Sequence, residues 1–260
     1  RSDSIENIVK SAVQIANEGL KEIILTGVNI GDFGKQNNES FFQLIQKLDL
    51  VDGIERIRIS SIEPELLTDE IIEFVLKSNK FLPHFHIPLQ SGSNKILKLM
   101  KRHYQRELFA DRIAKIKELM PDACIVADVI CGFPGETDQD FDDTFNFINS
   151  LPISYLHVFT YSERPDTLAA KLEGKVAVNI RRDRSKKLQE LSEIKKHLFY
   201  IENLNTIHKV LFESDIHSGY IYGFTENYIR VKTRTDKQLI NRVIETKLVS
   251  LDKDEVFMIE

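Results

Sequence analysis

Cysteine is scarce in this sequence: the 260 residues contain only Cys124 and Cys131. Two thiols cannot by themselves supply the ligands of a structural zinc site or an iron–sulfur cluster. Because they lie seven residues apart on one predicted strand, they would face opposite sides of a sheet and could not readily form a disulfide. These features are typical of the reducing cytoplasm, where we expect this protein to be located.

Long apolar runs and an excess of positive charge are also missing. No apolar stretch approaches the length of a membrane span and no signal peptide is recognisable, so we expect no association with a membrane. The net charge of −5 excludes a general basic field, so any contact with nucleic acid must come from a local patch. The chain begins at Arg1 without an initiator methionine, and we expect it to be a fragment.

The most informative stretch is a strand, a glycine turn and a helix start in succession. Residues 123–127 are apolar and β-branched, which predicts a strand buried on both faces. The turn Gly132–Gly135 follows, and Thr137 begins a helix with acids in its first turn. Glycines let a backbone approach a ligand closely. With Asp128 before the turn and Glu136 after it, we interpret this loop as functional rather than as a simple tight turn.

Strands and helices alternate through the first two thirds of the chain. This alternation predicts a parallel sheet with helices outside it. Small or polar residues follow every strand, which suggests one shared pocket at the carboxyl edge. We call the segment after the carboxyl end of each strand the strand exit. A doubly wound sheet would place fewer strand exits at its ligand pocket, so we predict an α/β barrel or partial barrel. The predicted strands are residues 21–27, 54–60, 85–89, 123–127 and 153–159.

The last third of the chain has a different pattern. Residues 176–205 are charged and helical in periodicity, and about five short strands separated by turn residues follow. We therefore divide the chain into residues 1–205 and residues 206–260, and predict that the second part is a small all-β barrel.

Few residues indicate a specific chemistry, and none is predicted to be catalytic. No trusted catalytic triad, phosphate loop or zinc motif is present. His84 and His86 share one face of a strand, but a metal site would need a third ligand that the sequence does not identify; a structural pair is favoured, and we predict no metal site. Glu63 and Asp128 follow strands and are equally consistent with acid–base or ribose-binding groups and with helix caps or ion pairs.

Two basic segments are candidates for binding. Lys95 to Arg106 is a basic run beside the predicted pocket, and such runs are usually solvated. Within it, Arg102 follows a strand exit by one short helix and could clamp a carboxylate. Near the end of the chain three basic residues alternate, so they project from one face of a strand. That face, made of Arg230, Lys232 and Arg234 with Tyr220, Tyr222 and Tyr228 nearby, is either a nucleic-acid surface or an ordinary polar face.

Four ordered motifs together resemble the radical S-adenosylmethionine methylthiotransferases, the MiaB, MtaB and RimO group. Residues 210–260 resemble the TRAM domain that ends those proteins. The resemblance implies a partial radical-SAM (β/α) barrel with parallel strands, followed by a small all-β TRAM barrel. Residues 25–34 and 223–231 look most like the MtaB branch, which methylthiolates threonylcarbamoyladenosine in tRNA. The four motifs are residues 86–93, 100–102, 128–137 and 159–170.

The resemblance also implies cofactors that this chain cannot hold alone. The family uses two 4Fe-4S clusters, and neither cysteine matches a cluster ligand of the family. We expect the six cluster cysteines and the first barrel strand to belong to the parent protein. We also expect the parent protein to receive electrons from a partner such as flavodoxin or ferredoxin. The fragment itself is expected to be inactive.

The resemblance assigns candidate roles to residues at the strand exits. For S-adenosylmethionine these are Thr26, Gly27, Val28, Ser61, Gln90, Arg102, Ile130, Phe159 and Tyr161. For the tRNA substrate they are Asp128 and Arg164 at the base and Tyr228, Arg230, Lys232 and Arg234 in the last module. The expected reaction adds a methylthio group to C2 of N6-threonylcarbamoyladenosine at position 37. Alternatives are isopentenyladenosine or a ribosomal protein as substrate, or an RNA-binding fragment without catalysis.

Overall fold

A five-stranded parallel sheet forms the first part of the molecule. The computed structural model describes residues 2–259. The second and third strands are joined by bridges between Ile57 and Phe81 and between Ser61 and His86, so all five strands follow one another in chain order. The sheet curls into a half-barrel, which confirms the predicted parallel α/β architecture. Its strands are β1 (Glu22–Leu25), β2 (Arg56–Ile59), β3 (His84–His86), β4 (Cys124–Cys131) and β5 (Tyr155–Thr160).

Within residues 2–259 seven helices accompany this sheet, and the apolar faces of all but α4 belong to one continuous core with it. Strand β4 is buried along nearly its whole length, as its unbroken apolar pattern predicts. None of the helices within residues 2–259 has the length and apolar character that a membrane crossing needs. The helices are α1 (Ile5–Asn17), α2 (Phe41–Asp49), α3 (Asp69–Lys77), α4 (Asn94–Leu99), α5 (Arg106–Leu119), α6 (Asp138–Ser150) and α7 (Val178–Glu202).

Side chains define several helix starts. The Thr137 hydroxyl accepts a hydrogen bond from the Asp140 amide, and the Asp140 carboxylate accepts one from the Thr137 amide. These two bonds form a capping box at the start of α6. Ser40 and Gln43 form the same arrangement at α2. Thr68 holds the N-cap position of α3, but its side chain makes no cap hydrogen bond with the described residues.

A second sheet follows α7 and has six strands rather than about five. Its order is β10-β11-β8-β7-β6-β9, antiparallel except between β8 and β11. Sequence patterns missed β10 because two residues carry no measurable alternation. A TRAM barrel remains a prediction for this part. The strands are β6 (Ile207–His217), β7 (Tyr220–Thr225), β8 (Arg230–Arg234), β9 (Val243–Lys247), β10 (Ser250–Leu251) and β11 (Phe257–Met258).

The turn between β7 and β8 joins the second sheet to the half-barrel. Arg56 and Arg58 on β2 are buried, and both pair with Glu22 on β1, at 2.6 and 2.8 Å. Their remaining N–H groups donate to main-chain carbonyls of the second sheet. A buried guanidinium needs this many partners because the interior cannot solvate its charge. The accepting carbonyls are those of Lys209, Phe224, Thr225 and Glu226.

The same turn also contacts the amino-terminal ends of the half-barrel strands. The Asn227 amide donates to the Asp122 carbonyl at 2.9 Å. Tyr228 adopts a left-handed conformation, with φ of 66°, and stacks on His84 with ring centroids 4.5 Å apart. Asn227 and Tyr228 therefore form the turn that contacts the half-barrel, and β8 begins only at Arg230.

We predict that Arg58→Met lowers the free energy of unfolding by about 3 kcal/mol or more, since it leaves Glu22 undercompensated and three interactions unmade. Arg182→Met, an exposed change on α7, is the control and should cost less than about 0.5 kcal/mol. Urea denaturation followed by circular dichroism measures both variants. Equal costs for the two substitutions would contradict the structural importance of the Arg58 contacts.

Candidate functional site

The exits of all five parallel strands lie along one edge of the half-barrel, because parallel neighbours end on the same side. Backbone hydrogen bonds bind neighbouring exits to each other. The Ile130 amide donates to the Gln90 carbonyl at 2.9 Å, and the Tyr161 amide donates to the Cys131 carbonyl at 2.9 Å. The edge is thus a continuous surface, as the shared-pocket hypothesis requires.

Two cavities open on this edge. The first, of about 630 Å³, is lined by Thr26, Gly27 and Val28 at the exit of β1. The second, of about 360 Å³, lies beyond β4 and β5. The predicted cofactor residues are therefore divided: Ser61 and Gln90 lie on the strand exits between these two cavities, whereas Arg102 follows α4 and lines a third cavity of about 690 Å³. The second cavity is lined by Ile130, Phe159, Tyr161 and Arg164, among others.

Several polar atoms along the edge lack partners. Within residues 2–259, no hydrogen bond reaches Gln90 Oε1, Glu63 Oε2 or the Tyr161 hydroxyl, although each atom is buried. The backbone of Gln90 is held at φ of 64° by hydrogen bonds to Asp128 and Ile130 of β4. Buried polar atoms without partners are rare in proteins, and here they indicate a place for a polar ligand.

Arg102 reaches the edge but is not free. Its Nη1 donates to Glu63 Oε1 at 2.7 Å. Burial raises the pKa of Glu63, while the positive charge of Arg102 opposes that effect. The Glu63 carboxylate thus occupies the guanidinium, and the role of Arg102 in binding a ligand carboxylate stays a prediction.

A polar cluster lies on the inner face of the half-barrel. His86 Nε2 and Asp128 Oδ1 are 2.6 Å apart, and His157 Nδ1 and Asp128 Oδ1 are 3.2 Å apart. Burial acts to raise the pKa of Asp128, but the hydrogen bonds of His157 and His86 outweigh it and lower the pKa to about 2. Asp128 is therefore a carboxylate held between two imidazoles. The sequence analysis missed His157, because only the register of β4 on β5 places it opposite Asp128.

His84 and the glycine turn have structural partners. Burial lowers the pKa of His84 to about 3, and its ring stacks on Tyr228. Gly132 has φ of 77°, and a Cβ there would lie 2.3 Å from Arg181 Cγ, so only glycine fits. The Glu136 carboxylate accepts hydrogen bonds from the Gly132 amide and from Arg184. Glu136 therefore stabilises the turn.

Helix α7 holds two strand exits in place. Arg181 donates to the Tyr161 carbonyl at 3.0 Å and to the Glu163 carboxylate at 2.8 Å. Arg184 donates to Glu136 at the turn after β4. Both arginines are buried, although the helix is rich in charged residues. No local sequence signal distinguishes these two arginines from the exposed ones beside them.

Asp140 joins the exit of β3 to helix α6. Its carboxylate accepts from Ser93 Oγ at 2.8 Å, from Lys95 Nζ at 2.6 Å and from the Thr137 amide and hydroxyl. Burial acts to raise the pKa of Asp140, but these hydrogen bonds, from Lys95 first, lower it to about 2. The charged form of Asp140 therefore stabilises the folded edge.

On the basic face of the second sheet, the cationic side chains of β8 lie over tyrosine rings of β7, an arrangement that we call the cation ladder. Lys232 is opposite Tyr222 and Arg234 is opposite Tyr220 in the β7–β8 register. The Arg230 guanidinium lies 4.7 Å from the Tyr222 ring centroid, and that of Arg234 lies 5.2 Å from the Tyr220 centroid. Arg230 and Arg234 are exposed. Arg230 Nη2 lies 3.6 Å from Asp215 Oδ2, and Lys232 pairs with Asp252.

Tyr228 does not belong to that face. Its ring is stacked between Phe224, at 4.7 Å, and His84, at 4.5 Å, and the Arg58 guanidinium lies 4.8 Å from it. Tyr228 therefore belongs to the contact between the two sheets. The sequence analysis grouped it with the basic residues because it precedes them by two positions.

Comparison with known proteins identifies the family. The family model described as "Radical SAM superfamily" matches residues 1–148, more than half of the chain. The chain belongs to the radical SAM superfamily. Among solved structures, coproporphyrinogen III oxidase (HemN) from Escherichia coli, a radical SAM enzyme, aligns with a TM-score of 0.57 at 14% identity, covering 74% of this chain and 46% of that one. At that identity the likeness concerns the fold alone.

Relatives with higher identity are tRNA-modifying enzymes. Threonylcarbamoyladenosine tRNA methylthiotransferase MtaB from Bacillus subtilis is 40% identical over 255 residues, 96% of this chain and 56% of that protein. MtaB from Aquifex aeolicus is 38% identical over 92% of this chain and 57% of its own length. A tRNA-2-methylthio-N(6)-dimethylallyladenosine synthase from Pelotomaculum thermopropionicum is 36% identical over 94% of this chain and 55% of its own length. The chain spans little more than half the length of these curated relatives.

The superfamily implies S-adenosylmethionine and an iron–sulfur cluster, and the residues fit only the first. The unpartnered atoms of Gln90 and Tyr161 and the apolar walls of the second cavity suit a nucleoside with polar substituents. The thiols do not suit a cluster. Burial raises the pKa of Cys124 to about 12 and that of Cys131 to about 11, and both side chains are enclosed.

We predict that acid destabilises this edge through Asp140. Because its folded pKa of about 2 lies below the ordinary 3.8, its contribution is complete above pH 4 and is lost as the pH falls toward 2. Asp140→Asn should cost about 1–2 kcal/mol at pH 7 and flatten the stability profile between pH 4 and 2. The exposed Asp142→Asn on the same helix is the control. Parallel profiles for the wild type and Asp140→Asn, from urea titrations at each pH, would refute the assignment.

Proposed function

We propose that this chain is part of a tRNA methylthiotransferase that adds a methylthio group to C2 of N6-threonylcarbamoyladenosine at position 37. The observation that carries the proposal is similarity over 96% of the chain, at 40% identity, to a relative that bears this substrate in its name. The second MtaB protein supports the same substrate.

In this proposal S-adenosylmethionine lies across the exits of the half-barrel and supplies the radical chemistry for which the superfamily is named. Gln90 binds it through an amide oxygen that has no other partner. Arg102 holds its carboxylate in exchange for Glu63, and Ile130 and Phe159 exclude water from its purine. Thr26, Gly27, Val28 and Ser61 contact its methionine and ribose ends, and Tyr161 lines the same edge. A radical reacts with whatever it touches, so tight positioning is the main task of these residues.

We also propose that residues 1–205 are the radical SAM core and that residues 206–260 are a TRAM-type RNA-binding domain. The tRNA backbone would lie on Arg230, Lys232 and Arg234, while Arg164 and Asp128 face the modified base. The exposure of Arg230 and Arg234 over tyrosine rings supports this surface, because nucleic-acid surfaces combine cations with stacking groups. A cytoplasmic location and a flavodoxin or ferredoxin as electron donor are part of the proposal.

A second candidate substrate is dimethylallyladenosine in tRNA. The synthase from Pelotomaculum thermopropionicum, whose name contains this nucleoside, is 36% identical over 94% of this chain. The identity differs little from that of the MtaB relatives, so the two nucleosides must be separated by experiment.

We predict that deleting the gene that encodes this sequence removes 2-methylthio-N6-threonylcarbamoyladenosine from tRNA and leaves its unthiolated precursor. Mass spectrometry of tRNA nucleosides from the deletion strain measures both species, and reintroduction of the intact gene is the control. Loss of the methylthio form of dimethylallyladenosine instead would select the second substrate. No change in either nucleoside would refute the proposed function.

A second prediction concerns the basic face. Replacing Arg230, Lys232 and Arg234 with Gln should weaken tRNA binding and flatten its dependence on salt, because fewer counterions are released. Since Lys232 is largely enclosed and pairs with Asp252, while Arg230 is exposed and only 3.6 Å from Asp215 and Arg234 is exposed, most of the change should come from the two arginines. The matched control replaces three exposed lysines on the helices with Gln: Lys10, Lys47 and Lys77.

The measurement is tRNA affinity at several salt concentrations, with circular dichroism to check the fold of each variant. The control triple variant removes the same net charge from another surface. If both triple variants show the same salt slope as the wild type, RNA is not held by β8.

A further inference from the structure

We propose that His86, Asp128 and His157 form a binding site for one divalent transition-metal ion, of the Zn²⁺ or Fe²⁺ class, inside the half-barrel. The three residues come from β3, β4 and β5, which are direct neighbours in the sheet. Each offers one ligand atom, and the three atoms lie within 4.8 Å of one another. Because the strands are packed and paired, this arrangement does not depend on a flexible loop.

Both distances from the Asp128 carboxylate to the imidazoles are near those of a bound ion, and all three ligand atoms lie within 4.8 Å of one another. Ligand atoms bound at about 2.1 Å in tetrahedral or octahedral geometry are separated by about 3.0–3.4 Å. Asp128 Oδ1 lies 3.2 Å from His157 Nδ1, within that range, and 2.6 Å from His86 Nε2, a few tenths of an ångström short of it. A small rotation of the His86 ring would open that distance.

The donor set selects the class of ion. Two imidazoles and one carboxylate are the ligands of catalytic zinc sites and of the facial triad that binds non-haem Fe²⁺. Mg²⁺ and Ca²⁺ prefer oxygen ligands, and this cluster offers only one carboxylate. The Asp128 carboxylate also supplies the negative charge that a cation needs in a partly buried site.

Nearby cations do not displace the proposed ion, because each has its own carboxylate. Arg58, on the neighbouring β2, pairs with Glu22 at 2.8 Å, and Arg102 pairs with Glu63 at 2.7 Å. Asp128 is thus left with the two imidazoles as its partners among the described residues. Access is open from one side, since about half of the His157 side chain is exposed.

The remaining coordination positions would face the second cavity. Ile130 and Phe159 lie two residues beyond Asp128 and His157 on the same strands, roughly 6.6 Å further along. An ion held by three protein ligands keeps at least one position for another donor. In this site that donor would be water or an oxygen or nitrogen atom of a molecule bound in the cavity.

The test is a Co²⁺ titration of the chelator-treated chain, because bound Co²⁺ absorbs visible light and Zn²⁺ then displaces it. We expect one saturable site that His86→Gln and His157→Gln each weaken at least about tenfold, since loss of a ligand should cost no less than loss of its supporting hydrogen bond. Asp128→Asn keeps the size of the side chain and should weaken binding similarly. The control His217→Gln alters an exposed imidazole on β6 and should leave affinity unchanged.

Circular dichroism establishes that each variant is folded before its titration is interpreted. No saturation at about 1 mM Co²⁺ would overturn the proposal and mean that the three side chains serve only as a hydrogen-bonded network. Equal affinity in the wild type, His86→Gln and His157→Gln would also overturn it, because the ion would then be bound elsewhere. The titration does not involve tRNA or S-adenosylmethionine, so its outcome is independent of the proposed function.

Discussion

Two buried guanidinium groups connect the two sheets of this protein. Arg56 and Arg58 share Glu22 within the half-barrel and donate their other protons to carbonyls around Thr225 in the second sheet. Neither charge could remain in the interior without all of these partners. The position of the second sheet is therefore determined by hydrogen bonds with narrow geometric tolerance, in addition to apolar contact.

The same principle shapes the carboxyl edge, where the candidate site lies. Arg181 and Arg184 reach from α7 to the exits of β4 and β5, and Asp140 joins α6 to the exit of β3. Each buried charge connects segments that are distant in sequence. The exits consequently form a fixed surface, which suits chemistry that depends on holding a reactive cofactor still.

Rings form a path between the basic face and the interior. Phe224 stacks on Tyr228, and Tyr228 stacks on His84, which shares one side of β3 with His86. The stacked rings therefore extend from β7 of the second sheet to β3 of the half-barrel.

Local sequence determined the elements and their order. The alternation of apolar strands and amphipathic helices predicted the parallel sheet, and Thr137 with acids after it predicted the start of α6, because these signals lie within one or two turns of chain. Only the tertiary structure decided which charges are buried and which groups meet. His157 joins Asp128 through strand register, Arg181 and Arg184 are buried by the packing of α7, and Tyr228 is drawn from the basic face by a left-handed turn. Such contacts depend on the positions of segments far apart in the chain, and no local periodicity records them.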